Sequence, residues 1–188
     1  MQRLFFLFLF ISSFAQAQIV PQGFLVGKVK LAIGDAYQGG KIAYIFASGD
    51  PGYVSGQTHG LIATVADVSS GAQWGCYGST VSGADGEAIG TGNQNTIEIN
   101  MAGCSSGSAA SLCANLVQGG YSDWYLPSLE ELRIMRLNKS AIGGFAAADY
   151  WSSSEYNAPN AYYVGFQFTG YDGRYKYSTY RVRAVRSF

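Results

Sequence analysis

One histidine, three cysteines and a tyrosine-rich final third carry whatever chemistry this 188-residue chain performs. A Ser-His-Asp or Cys-His catalytic set would have to be built on His59, in Thr58-His59-Gly60, and nothing in the sequence places a nucleophile beside it. His59 therefore reads as a hydrogen-bonding structural residue. The same scarcity argues against zinc, which needs close-paired Cys and His ligands. Glu130, Glu131, Asp149 and Glu155 are the carboxylates that could flank a sugar for hydrolysis. Glu131 is better used as the reciprocal partner of Ser128 in a capping box, Glu130 by the field at a helix N-terminus, and Glu155 by the turn expected at Ser152-Ser153-Ser154-Glu155. Gly90-Thr91-Gly92-Asn93 lacks the Lys-Ser/Thr ending of a phosphate loop and the third glycine of a dinucleotide fingerprint. It reads as a turn feeding a helix capped near Asn95.

The segment Tyr150 to Tyr180 is different, because it interleaves nine tyrosine and tryptophan rings with Asn157, Asn160, Asp172 and Arg174. Aromatic faces stack on sugar rings, and Tyr hydroxyls and Asn amides add hydrogen bonds at small entropic cost. About half of these rings must be core. Strict alternation places Tyr162, Val164, Phe166 and Phe168 inward and Tyr163 and Gln167 outward. The candidate binding set is therefore Tyr156, Asn157, Asn160, Tyr163, Gln167, Tyr171, Asp172 and Arg174. Arg174, Lys176, Arg181, Arg183 and Arg186 follow with no acid after Asp172. They read as a cation rim for sulfate or carboxylate groups, or else one or two of Arg181, Arg183 and Arg186 pair with Asp123, Asp149 or Glu155 to lock the last strand.

The elements that must position these residues follow from pattern and punctuation. Ile42 to Ala47 and Leu61 to Val65 are short apolar runs bounded by Gly, Asp and Ser, as buried strands are. Ser69 to Gly92 reads as loop. Helices are expected near Asn95 to Met101, over Ser108 to Val117, stopped by Gly119-Gly120, and from Leu129 to about Leu137 behind Pro127 and the Ser128 cap. After Tyr150 the period becomes two, with a turn at Asp172-Gly173 and returning strands over Tyr175 to Tyr177 and Tyr180 to Val185. Helices in the middle and a meander at the end make an α+β domain.

Residues 1–17 have Arg3, an apolar run and an Ala15-Gln16-Ala17 end, the pattern of an export signal. Their apolar stretch is well short of the roughly 20 residues a membrane helix needs, and no other segment comes close. Gln18 to Gly34 reads as a strand or arm and residues 35–188 as one ligand-binding domain. The twelve basic and twelve acidic side chains become eleven against twelve once Arg3 is removed. That balance gives no reason to expect nucleic acid, and the product is expected to be secreted or surface-associated. Cys113 shares a helical spacing with Ala109, Leu112 and Leu116, so it faces the core, and Cys76 is paired with Cys104. A Cys104–Cys113 pair is the competing arrangement.

Eight ordered stretches carry a family resemblance: Gly39 to Phe46, Thr58 to Ala63, Trp74 to Cys76, Ile89 to Gly92 with Asn95-Thr96, Ala109 to Cys113, Gly119 to Leu132, Tyr150 to Glu155 and Arg181 to Arg186. Together they resemble the bacterial family of the C-terminal domain of the Legionella collagen-like adhesin. The resemblance implies a C-type-lectin-like fold and a non-enzymatic binding module. Its partner would be an extracellular polysaccharide, with an anionic one in view, or a host or cell-surface protein. The Leu126-Pro127-Ser128-Leu129 helix start is also distantly similar to formylglycine-generating enzymes and to retroelement variable proteins. The former use a cysteine pair in the C-terminal half, and no cysteine follows Cys113 here, so that activity is not implied. Lectin-like folds often hold calcium, but the Glu-Pro-Asn and Trp-Asn-Asp sugar-binding triplets are absent, so no cofactor is assigned and a calcium site stays without residues.

Overall fold

Short strands form wherever β-branched and aromatic residues alternate with Gly-containing turns, and in the computed structural model they assemble into two sheets. The structure describes residues 30–188. The export segment and nearly all of the expected arm lie outside these residues, and Lys30 to Ile33 includes no strand. The first sheet has the order β1(Ala36–Tyr37), β2(Gly40–Ile45), β3(Gly60–Ala63), β9(Val185–Ser187), all antiparallel. The second has the order β4(Ser69–Gln73), β8(Thr179–Val182), β5(Asp149–Asn157), β6(Asn160–Gly165), β7(Gly170–Tyr175). Its pairs are antiparallel except β5 beside β8, which meet in parallel at Tyr150 and Arg181. Four short helices lie between the strands: α1(Gly92–Met101), α2(Ala109–Ala114), α3(Leu129–Leu137) and α4(Lys139–Ile142). The class is α+β, as the sequence pattern implies.

The α3 helix starts as its sequence dictates. Ser128 accepts from the Glu131 N–H, and the Glu131 carboxylate accepts from the Ser128 N–H at 2.8 Å. Glu131 is also buried, and its other oxygen accepts from the Gly90 N–H at 2.9 Å. The capping box thus doubles as a clasp on the loop before α1. Burial pushes the Glu131 carboxyl up, while its backbone N–H donors pull it back.

Several expectations are corrected. Ser69–Gln73 is a strand, not a loop; its Ser, Gly and Gln residues carry no apolar alternation, and only Ala72 is buried. The α1 helix begins at Gly92 behind Thr91, so Asn95 is not a cap. It sits inside the helix and donates to the Gly86 carbonyl and Ser153 Oγ. The α4 helix has no counterpart in the sequence reading. Asp172-Gly173 lies within β7, and the β6–β7 turn is Phe166 to Thr169. Gly173 serves close approach instead of turning, since a Cβ there would lie 2.4 Å from Cδ1 of Tyr156. Because β6 ends at Gly165, alternation stops before Phe168, which is 75 % exposed rather than inward.

Buried charges join the loops to the sheets. The Lys176 ammonium lies among buried groups, bonded to the Glu155 carboxylate and to the Ser79 carbonyl at 2.7 Å, and 4.7 Å from the Trp74 ring centre. Glu155, a buried β5 residue and not part of a turn, also accepts from the Val81 N–H. Asp67 collects Arg181 at 2.8 Å, Arg183 at 3.1 Å and the Tyr150 hydroxyl at 3.0 Å. Arg186 makes a two-point contact with Asp123 at 2.6 and 2.8 Å. Of the acids expected to hold the terminal arginines, Asp123 holds Arg186; Glu155 holds Lys176 instead of an arginine, and Asp67 takes Arg181 and Arg183.

Cys76 and Cys104 are bonded with Cα atoms 4.9 Å apart, and Cys113 is a buried free thiol whose ionisation burial pushes far up. Gly75 permits the bond's approach, because a Cβ at its φ of +97° would lie 2.9 Å from Cys104 Cβ.

Removing one partner of the Lys176–Glu155 pair strands a buried charge. Lys176→Met is expected to lower unfolding free energy by about 3–5 kcal/mol in denaturant titration, with the double variant Lys176→Met/Glu155→Leu regaining part of it. Arg186 holds the Asp123 carboxyl below its ordinary value, chiefly by hydrogen bonding. A depressed carboxylate stabilises the fold above its unfolded value and loses that contribution as pH falls through the folded one. Asp123→Asn should therefore flatten the part of the acid-unfolding profile below about pH 4, by a small amount because the side chain is half exposed.

Candidate functional site

Three tyrosines form the most prominent exposed cluster among the described residues. Tyr175 and Tyr177 stack at 5.2 Å with an interplanar angle of 18°, and Tyr77 meets Tyr177 edge-on at 4.8 Å. Their exposures are 50 %, 48 % and 53 %, so about half of each ring meets water. The sequence explains the geometry. Lys176 is pulled inward by Glu155, which turns its two neighbours outward. Tyr77 follows Cys76, which sits at φ +50° and is fixed by its bond to Cys104. The next residue, Gly78, donates to the Ala158 carbonyl at the β5–β6 tip. Trp74 N–H donates to the Lys176 carbonyl at 3.0 Å, closing the loop onto the end of β7.

A second group of rings continues along the same side of β7, where residues 171, 173 and 175 share one face of the strand. Tyr156 lies over Gly173 and meets Tyr162 at 5.0 Å, and Tyr162 meets Tyr171 at 6.2 Å. Burial first, then the Glu87 carboxylate, push the Tyr162 phenol up, so it stays protonated as a donor. Arg133 on α3 stands 4.7 Å over the Tyr171 ring and pairs with Glu130. Beside it a cavity of about 230 Å³ is lined by Arg133, Arg136, Val164, Thr169, Gly170 and Tyr171. Arg136 Nε is buried there without a hydrogen-bond partner. This side of β7 thus runs from a tyrosine cluster to a pair of guanidinium groups.

The candidate residues read from sequence divide between two faces. Tyr156 and Tyr171 belong to the band just described. Tyr163, Asp172 and Arg174 share the opposite face, where Tyr163 pairs with Asp172 across the strands and Arg174 stands 5.6 Å over the Tyr163 ring. Tyr163 is half-buried rather than free, packed on Tyr180 at 5.1 Å. Asn157 and Asn160 form the hairpin tip, where Asn157 Oδ1 accepts both the Asn160 N–H and its side-chain amide at 2.9 Å. Gln167 is exposed in the β6–β7 turn, away from that tip. The cation rim does not form at the terminal strand, because Lys176, Arg183 and Arg186 are buried and Arg181 is spent on Asp67.

Sequence reasoning missed Tyr77, Arg133 and Arg136. Tyr77 follows a bonded cysteine in a Gly-rich loop, and Arg133 and Arg136 share one helical face at i, i+3. Both signals are visible once the disulfide and α3 are assigned. His59 has the structural role expected, with Nδ1 3.0 Å from the Phe188 carbonyl and Nε2 2.9 Å from Gln57 Oε1. Among the described residues no three His, Cys, Asp or Glu side chains gather as a metal cage, and no helix is long and apolar enough to cross a membrane.

The family model of the Lcl C-terminal domain matches residues 63–186, which run from the last residue of β3 into β9 and include every residue of the tyrosine band. The chain belongs to this family. As a member of the Lcl C-terminal domain family, it carries its band wholly inside the matched region. A solved fimbrial protein from Bacteroides ovatus ATCC 8483 is similar over 68 % of this chain and 35 % of its own length, with 16 % identity and a TM-score of 0.49. The chain thus spans about a third of that protein, and the likeness is too slight to inform the site. No curated protein matches the chain.

Selective nitration provides a check on the surface. Tyr77, Tyr156, Tyr171, Tyr175 and Tyr177 are expected to modify first under native conditions, while Tyr125 and Tyr150 react only on unfolding, as read by peptide mass mapping.

Proposed function

We propose that the protein is an exported, non-enzymatic, adhesin-type module that recognises extracellular polysaccharide through the tyrosine side of β7. The observation that carries this reading is the half-exposed Tyr77, Tyr175 and Tyr177 cluster, held in place by a disulfide and a buried ion pair. Ring faces of this kind take the C–H faces of pyranoses, and their hydroxyls take ring substituents. Membership of a family named for an adhesin's C-terminal domain supports it. An anionic polymer fits best. The Arg133 and Arg136 guanidinium groups at the far end of the band are suited to carboxylate or sulfate substituents, in place of the terminal arginines that serve the fold. No metal or cofactor takes part in this reading.

A protein partner is the second reading, favoured by the same preference of Tyr surfaces for peptide recognition. Binding to an array of neutral, carboxylated and sulfated glycans, with and without chelator, separates the two. The expected result is chelator-insensitive binding that Tyr177→Ala with Tyr77→Ala reduces about five- to a hundredfold. Removing one stacked ring costs about 0.5–1.5 kcal/mol. Arg133→Ala with Arg136→Ala is expected to remove the salt-sensitive part alone. Retention of no glycan by the folded chain would move the assignment to the protein partner.

A further inference from the structure

A cavity of about 360 Å³ lies apart from the tyrosine band, lined by the Phe46, Pro51, His59, Ser187 and Phe188 side chains together with Gly52 and Gly90. None of these residues belongs to the surface described above. Two phenyl rings and a proline give it apolar walls. The His59 ring adds another wall, since both of its nitrogens face partners, the Phe188 carbonyl and Gln57. One polar side-chain atom at the cavity has a direction that can be worked out. Ser187 Oγ is 3.2 Å from the Tyr125 hydroxyl, which is 3.4 Å from Glu131 Oε1. Glu131 accepts backbone N–H groups on both oxygens, from Gly90 and from Ser128. The single Tyr125 proton therefore goes to the Glu131 carboxylate, and the Ser187 proton goes to the Tyr125 oxygen. Burial holds Tyr125 protonated throughout the ordinary pH range. The lone-pair side of Ser187 Oγ, on an exposed residue that lines the cavity, is left to accept from a ligand seated here.

We propose that this cavity is a second, independent ligand site that takes one neutral hydroxylated ring of pyranose size. Its C–H face would lie on Phe46 and Phe188, and one hydroxyl would donate to Ser187 Oγ. The inference does not rest on glycan recognition by the tyrosine band, and a ring with no hydroxyl donor should be discriminated against. The lining rings supply apolar contact to either kind of ring, whereas Ser187 Oγ offers an acceptor that only a donor engages.

The test is an amide chemical-shift titration of the intact chain with methyl glycosides of glucose, galactose, mannose and N-acetylglucosamine, through the millimolar range. The expected result is a saturable shift of the Gly52, His59, Gly90 and Ser187 amides with at least one glycoside. Ser187→Ala should weaken it about five- to tenfold, the loss of one hydrogen bond, with the rest of the spectrum unchanged. The fully O-methylated form of the same glycoside should lose the same factor on the unmodified chain, which makes the result independent of how the variant folds. Tyr177→Ala should leave this titration unaltered, so failure of the band and failure of the cavity are distinguishable. No saturable shift at these amides with any glycoside, or equal binding of the O-methylated form, would overturn the proposal.

Discussion

The Lys176 ammonium, buried against Trp74 and bonded to Glu155 and Ser79, is the constraint on which the tyrosine side of the molecule depends. A lone ammonium in that position would be costly to desolvate, and Glu155 together with the Ser79 carbonyl offsets that cost. Once Lys176 points inward, Tyr175 and Tyr177 point outward. Glu155 also holds the Val81 N–H, and the Trp74 and Gly75 N–H groups bond to the Lys176 carbonyl, so the Gly-rich segment that carries Tyr77 is drawn over the end of β7. One ion pair therefore fixes both halves of the ring cluster. The Cys76–Cys104 bond fixes the same segment from the helical side.

A division of labour among the charges follows. Four of the five basic residues near the C-terminus serve the fold: Lys176 with Glu155, Arg181 and Arg183 with Asp67, and Arg186 with Asp123 over the Tyr121 ring. They tie the last strands to the loops. The cations that border the band are Arg136 and Arg133, the latter already paired with Glu130, on a helix that the sequence presents as a fold signature rather than as a site. Glu131 shows the same economy. It caps α3, clasps Gly90, and orders the hydroxyls of Tyr125 and Ser187 beside the separate cavity.

The legible parts of this protein were those with a local physical code. The α3 start at Ser128 and Glu131, the apolar strands at Ile42 and Leu61 and the alternation through Val164 are decided within a few residues. Cys113 was placed by its helical spacing. What escaped was decided by distant partners. Ser69–Gln73 has no strand pattern of its own and becomes one by pairing with β8. Gly173 looked like a turn residue because nothing nearby announces the Tyr156 ring that needs its missing Cβ. The candidate site was half legible: Tyr156 and Tyr171 lie on the band, while Tyr163, Asp172 and Arg174 fall on the opposite face, since β7 is a strand through the place where a turn was expected. Tyr77 stands about a hundred residues before its stacking partners, and only the fold brings them together.

Direct observation of the tyrosine rings tests the recognition face most sharply. With ring carbons isotopically labelled and a retained polysaccharide added, the Tyr77, Tyr175 and Tyr177 signals should shift or broaden together. Those of Tyr125 and Tyr150, in the core, should stay in place. Bound polymer that leaves the three exposed rings unperturbed would contradict the assignment of this surface as the recognition face.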